Sequence, residues 1–185
     1  MNKISARLRT EAAEGVPALL LRPWEPRDAP GLVEVFSDAA LRRWTSAAVH
    51  DEESAARWVR DQRAGWDSGR RYAFAVVEPA ADGGGTLVGH VVLKTPAATA
   101  EVGYWTAAHA RGRAVAPPRA LRALTDWAFT ELGLQRLDLI HRTDNTASCR
   151  VAEKTGYALH AVLPASPPAF PLPGHLHTRL RRPAG

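Results

Sequence analysis

Cysteine is almost absent from this chain: Cys149 is the only one in 185 residues. One thiol cannot close an internal disulfide or furnish a Cys-rich zinc site, so a reducing, cytoplasmic setting is expected. Lysine is scarce too, with three (Lys3, Lys94, Lys154) among 24 Lys and Arg residues. That arginine excess, together with much alanine, glycine and proline, matches GC-rich coding. It accounts for the net charge of +5 and the isoelectric point near 10.0 without a nucleic-acid partner. The basic residues are spread along the chain with no dense block and no interleaved aromatics, which suits an acidic or phosphorylated small ligand better. Long apolar runs are also missing. None approaches the roughly 20 residues of a membrane span, and residues 1–14 lack the apolar centre of a secretory signal. Neither a nucleic-acid nor a membrane partner is expected.

What remains is an ordinary globular composition, 45% hydrophobic and 23% charged. A chain of this size should bury roughly 70% of its unfolded surface. The reading is one domain over residues 18–182 behind an N-terminal extension, 1–17. Residues 18–24 form a short apolar strand ending at Pro23. Asp28 can cap a helix starting at Ala29-Pro30, with Leu32, Val35 and Phe36 inward. A second helix follows Asp51: Ala55, Trp58, Val59, Gln62 and Trp66 recur at helical spacing, and Gly69 is its natural stop. The period then changes. Residues 71–78 and 87–95 are β-rich runs joined by a Gly-rich hairpin signal, and 100–106 reads as a third strand. A helix over 118–132 carries the stripe Leu121, Leu124, Trp127, Ala128 and Leu132 and ends at Gly133. A strand at 137–141, a helix from Asp144 or Asn145 to Gly156, and strands at 157–163 and 175–180 complete the order. Five prolines between 164 and 173 exclude regular structure there. The expectation is an α+β, mixed α/β domain with a largely antiparallel sheet.

Two segments carry chemistry. The first runs Glu101-Val-Gly-Tyr-Trp-Thr-Ala-Ala-His-Ala-Arg-Gly-Arg-Ala-Val-Ala116 into Pro117-Pro118 and the helix. A strand, a loop of small residues with arginines and a helix N-terminus can cradle an anion through backbone N–H groups and guanidinium charge; a solvated βα loop is the plainer reading. The second is Asn145-Thr-Ala-Ser148-Cys-Arg-Val151-Ala-Glu-Lys154-Thr-Gly156. Asn145 as an N-cap and Gly156 as a helix-ending glycine explain most of it and leave Ser148 unexplained.

Taken with Leu21-Arg22-Pro23, Val88-Gly89 and Trp127-Ala-Phe129, in this order, the two segments resemble the GNAT superfamily of acyl-CoA-dependent N-acetyltransferases. The closer likeness is to its RimJ/RimL-like, ribosomal-protein alanine acetyltransferase branch. The resemblance implies a GNAT-like fold whose central twisted sheet splays at the acyl-CoA site. It implies acetyl-CoA as cosubstrate and a primary amine as acceptor, by direct attack in a ternary complex. Possible acceptors are a protein N-terminus, an amino acid or an amine-bearing small molecule such as an antibiotic. The pyrophosphate loop would be Arg111, Gly112, Arg113, Ala114, Val115 and Ala116, with Ala114 standing where the family usually has glycine and Pro117 where it usually has a hydroxyl residue. The pantetheine arm would pair with the backbone near Trp105 and Thr106, with Asn145 nearby. A backbone N–H between Val102 and Tyr104 would hold the oxyanion.

Many members of the superfamily carry a tyrosine acid at the position of Ala152, which is absent here. In the branch a serine at the position of Ser148 can protonate the departing thiolate instead. Glu101 is the nearest candidate base, and His141 the second. Alternation puts Glu101, Gly103 and Trp105 on one strand face and Val102 and Tyr104 on the other, so Glu101 is merely solvated if its face looks away from the cleft. His175 and His177 share a strand face, but no third ligand lies near them in the sequence and no metal is expected. Trp24, Trp44, Trp66 and Trp105 either wall an acceptor pocket or belong to the core. Phe170 and Leu172, in the proline-rich segment, suggest an acceptor lid or the contact of a homodimer. An acyl-CoA-binding protein without transferase activity is the alternative function.

Overall fold

The β-rich apolar runs at 71–79 and 85–94 become the middle of an eight-stranded sheet. The computed structural model describes residues 6–13, 15–81, 84–95, 99–111, 116–168 and 170–182. The strands are β1 (Leu8–Thr10), β2 (Leu19–Pro23), β3 (Arg71–Pro79), β4 (Gly85–Lys94), β5 (Ala100–Thr106), β6 (Arg136–Arg142), β7 (Ala158–Leu163) and β8 (Gly174–Leu180). Their spatial order is β1-β2-β3-β4-β5-β6-β8-β7. All neighbours are antiparallel except β5 and β6, which are parallel. A parallel step requires a crossover, and α4 (Ala116–Thr130) supplies it. Helices α1 (Ala29–Phe36), α2 (Ala39–Trp44) and α3 (Glu52–Ser68) precede β3, and α5 (Thr146–Lys154) links β6 to β7. This is the mixed α/β architecture expected, and among the described residues no helix is long and apolar enough to cross a membrane.

Strand alternation sends apolar side chains to both faces of β3 and β4, so two separate cores form. On one face Leu21, Phe74, Val76, Val91, Leu93 and Val102 pack under α4 through Leu121, Leu124, Trp127 and Ala128. On the other, Trp24, Ala73, Ala75, Val92 and Trp105 pack under α1 and α3 through Leu32, Phe36, Ala55 and Val59. The helices start and stop for local reasons. Asp51 accepts from the Ser54 N–H at 2.7 Å, capping α3. Gly69 closes that helix at φ +67°, a conformation that would strain a side chain.

Several expectations need correction. Asp28 stands at the α1 N-cap position but caps nothing there. A 3₁₀ turn at Pro26–Asp28 precedes α1, and the carboxylate is taken by Arg22 in two bonds of 2.7 and 2.8 Å. It also accepts the Glu25 N–H at 2.8 Å. Helix α4 begins at Ala116 rather than at residue 118 and ends at Thr130. Pro117 and Pro118 fit inside its first turn because N–H groups there have no intrahelical acceptor. Two elements have no counterpart in the sequence reading. Helix α2 is six residues with one buried side chain, Leu41, too short for a periodic stripe. Strand β1 lies within residues 1–17; it pairs with β2, and Arg119 donates to Thr10 Oγ1 and the Pro17 carbonyl, both at 2.7 Å.

Candidate active site

The candidate site is the seam between β5 and β6. The two strands pair through only three residues, Ala100↔Leu137, Glu101↔Asp138 and Val102↔Leu139. Beyond them β5 stays in register with β4 as far as Thr106↔Gly89. β6 meanwhile follows β8 as far as Arg142↔Gly174. Each strand keeps its outer partner, so the sheet opens into a V from Gly103 and Ile140 onward. Along a strand alternate residues direct both N–H and C=O to the same side, so part of the Gly103–Thr106 edge presents backbone groups to the gap instead of to a neighbouring strand. A β-bulge in β4 opposite Val76 and Val77 adds local twist. Gly89 follows it, and a Cβ there would lie 2.8 Å from the Trp105 carbonyl oxygen, so only glycine allows this approach.

Tyr104 and Ser148 meet across the seam. Tyr104 projects from the α4 side of β5, as alternation predicts, and its hydroxyl donates to Ser148 Oγ at 3.0 Å. Ser148 lies in the first turn of α5, whose N-cap Asn145 accepts the Ser148 N–H at 3.2 Å. Burial pushes the Tyr104 phenol up to about 12, so it stays a proton donor across the neutral range. Ser148 Oγ accepts from it and keeps its own proton to give. Ala152, the position at which the family resemblance implied a tyrosine acid in many members, is fully buried.

Glu101 stands elsewhere. It belongs to the closed, paired end of the seam, about 10 Å of strand away from Tyr104, and its carboxylate holds Lys94 Nζ at 2.7 Å. Trp105 turns to the opposite face and is buried, stacked on His90 with ring centroids 5.4 Å apart. Trp24 donates its indole N–H to His90 Nδ1 at 3.1 Å. Burial lowers the His90 pKa to about 3, so this histidine is a neutral acceptor inside an aromatic cluster. The sequence reading missed it, although its place in the apolar run from Val88 to Leu93 marks it as inward. Trp24 and Trp105 are thus core residues, and Trp66 is partly buried against the core under α4. Only Trp44 is exposed among the four, at 40%, with Arg142 from the end of β6 over its ring at 4.9 Å. Arg142 in turn pairs with Asp144 at 2.7 Å, so α2 reaches across the open end of the V.

Of the anion loop, Gly112, Arg113, Ala114 and Val115 lie outside the described residues. Arg111 is ion-paired with Asp38, the N-cap of α2, and that contact together with the capping N–H groups lowers the Asp38 pKa. Ala116 opens α4 and packs against the core. Pro117 and Pro118 remove two donors from the N-terminal turn, leaving a sparser anion cradle than an ordinary helix start. Thr106 sits at the gap end of β5, paired with Gly89. His141, the second candidate base, lies beside His175, His177 and Cys149, which segments distant in the sequence bring together. Phe170 and Leu172 are 67% and 41% exposed.

The sequence matches the family of acetyltransferase (GNAT) domains over residues 18–158. Solved structures with the same fold include a protein from Vibrio cholerae described as a ribosomal-protein-serine acetyltransferase. It is 23% identical, with a TM-score of 0.79 over 95% of this chain and 98% of that one. Mycobacterium smegmatis RimJ, solved with a CoA disulfide, is 24% identical with a TM-score of 0.75 over 95% and 86%. The microcin C7 self-immunity acetyltransferase MccE, solved with acetyl-CoA and AMP, is 16% identical with a TM-score of 0.76 over 88% and 92%. No curated protein sequence matches the chain significantly.

Proposed function

Because the chain belongs to the GNAT acetyltransferase family, we propose that it moves an acetyl group from acetyl-CoA to a primary amine by direct attack within a ternary complex. The pantetheine arm enters the V between β5 and β6 along the Trp105–Thr106 backbone and past Asn145. The pyrophosphate rests on residues 111–116 at the start of α4. The amine nitrogen bonds to the thioester carbon, a backbone N–H of β5 holds the oxyanion, and the carbon–sulfur bond then breaks. The acylated nitrogen releases its proton to solvent, the thiolate takes one from Ser148, and Ser148 is resupplied through Tyr104, which regains its proton from solvent. The observation that carries this reading is the 3.0 Å Tyr104–Ser148 hydrogen bond at the place where the two strands part.

Glu101 is read as the partner of Lys94 and not as the base, because it is ion-paired and at the closed end. An α-amine has a pKa of about 8, so a substantial neutral fraction reaches the site at physiological pH without a dedicated base. The acceptor is a protein N-terminus, an amino acid or an amine-bearing small molecule. It enters past Trp44 and Arg142, while Phe170 and Leu172 form a lid or a homodimer contact. Turnover of acetyl-CoA over a panel of N-terminal peptides, amino acids and aminoglycosides tests the reading. Acetylation of any of these amines supports it. Coenzyme binding without turnover on any of them would instead favour a binding protein of the same fold, a reading motivated by the prolines at the α4 N-terminus.

A further inference from the structure

The chain's only cysteine and three of its seven histidines converge on the α5 side of β6 and β8. His175 and His177 alternate along β8 and share a face, and the β6–β8 register sets His141 opposite His175. Helix α5 lays Cys149 over them, with Sγ 3.3 Å from His175 Nδ1. One ligand atom from each of the four lies within 4.8 Å of all the others. The rings of His141 and His177 stack with centroids 5.1 Å apart.

Packing alone does not account for the nitrogens. His141 Nδ1 lies 2.8 Å from the Arg142 carbonyl oxygen, and His177 Nδ1 lies 3.2 Å from that of Tyr157. A carbonyl can only accept, so each Nδ1 carries the proton and each Nε2 presents a lone pair. Both Nε2 atoms are buried and, among the described residues, meet no hydrogen-bond partner; His177 is only 2% exposed. An imidazole oriented through one nitrogen by a carbonyl, with the other bare and turned inward, is how metal-ligating histidines are held.

We propose that His141, Cys149, His175 and His177 form a four-ligand site for a zinc ion that ties α5 to the β6–β8 half of the sheet. Three imidazoles and one thiolate suit tetrahedral Zn²⁺, with bonds of about 2.0–2.3 Å; the oxygen ligands that Mg²⁺ and Ca²⁺ need are not part of the set. Closing the ligands to tetrahedral spacing takes small side-chain rotations. Binding releases the Cys149 thiol proton to solvent. With all four positions taken by protein the ion is structural, and it fixes the turn of α5 that carries Ser148.

The test uses the full-length, tag-free chain, stripped of metal with a chelator and reloaded with Zn²⁺ or Co²⁺. Elemental analysis should find one zinc per chain, and the cobalt form should show the strong visible bands of a tetrahedral site with thiolate charge transfer. Zinc should shield the single thiol from a disulfide reagent. Cys149→Ser should abolish the charge-transfer band, and His177→Gln should weaken zinc by more than the roughly 10–100-fold that follows loss of a ligand's hydrogen-bond partner. His160→Gln, exposed on β7, should change nothing. Should Cys149→Ser fail to fold, the wild-type cobalt spectrum and thiol protection still decide. Substoichiometric zinc, an octahedral cobalt spectrum, a thiol that reacts equally fast with and without zinc, or affinity unchanged in His177→Gln would each overturn the proposal.

Discussion

The two halves of the sheet are built differently. From β2 to β5 the strands are covered on both faces, by α4 on one side and by α1 and α3 on the other. From β6 to β7 one face meets α5, and the opposite face leaves Ile140 and Leu180 exposed at 42% and 64%. Three parallel residue pairs join the halves. A two-sided wall and a thinly cored wing meeting over so short a seam can part without breaking either half, and the proposed function puts the pantetheine arm in that opening. The contrast also frames the proposed chemistry: Tyr104 comes from the wall and Ser148 from the wing, so their hydrogen bond spans the opening of the V.

The largest effect should come from the seam itself. Ser148→Ala is expected to lower kcat about 10²–10⁴-fold with little change in KM for acetyl-CoA, because a general acid acts mainly in the transition state. Tyr104→Phe, which keeps the serine and deletes its donor, should lower kcat about tenfold, the worth of one neutral hydrogen bond. A Ser148→Ala enzyme within twofold of wild type would mean that solvent protonates the thiolate.

Within the wall, Arg22→Met leaves the Asp28 carboxylate buried without its partner, both side chains being under a tenth exposed. Chemical denaturation should show a loss of about 3–5 kcal/mol, and a loss under 1 kcal/mol would show that water reaches Asp28. His90 gives the wall an acid sensitivity. Its folded pKa, about 3, lies below the unfolded value of 6.5, so the unfolded chain binds the extra proton and stability falls as pH drops below about 6.5. The slope is about 1.4 kcal/mol per pH unit, which makes about 2 kcal/mol lost by pH 5, less in His90→Gln. Equal acid slopes in the two proteins would assign the loss to other groups. In the wing, Phe170→Ala should shift monomer stability by no more than about 0.5 kcal/mol while weakening self-association in sedimentation or altering kcat/KM among amines. If it did neither, the proline-rich segment would be a plain connector.

How much of this was legible in the sequence follows the same division. The wall announces itself: β3 and β4 are continuous β-rich apolar runs, α3 and α4 carry long apolar stripes, and Asp51 and Gly69 bracket their helix in the expected way. Tyr104 was correctly placed on the face opposite Glu101, and Ser148 was singled out, but nothing local in either segment brings a residue of β5 to one 44 positions later. That contact depends on the parallel β5–β6 register and the crossover of α4. The same holds for His141, Cys149, His175 and His177, which three elements assemble. Helix α2 and β1 were missed because six and three residues hold too few periods to show a pattern, and Asp28 was misread because its tertiary partner, Arg22, outcompetes a cap.

A crystal structure with coenzyme A bound tests the central claim most directly. The account predicts the pantetheine arm between β5 and β6, the sulfur within hydrogen-bonding reach of Ser148 Oγ, and the pyrophosphate at the start of α4. Coenzyme bound instead in the cavity of about 280 Å³ lined by Gly15, Val16, Pro17, Leu19, Ala110 and Arg119, with β5 and β6 left empty, would contradict it.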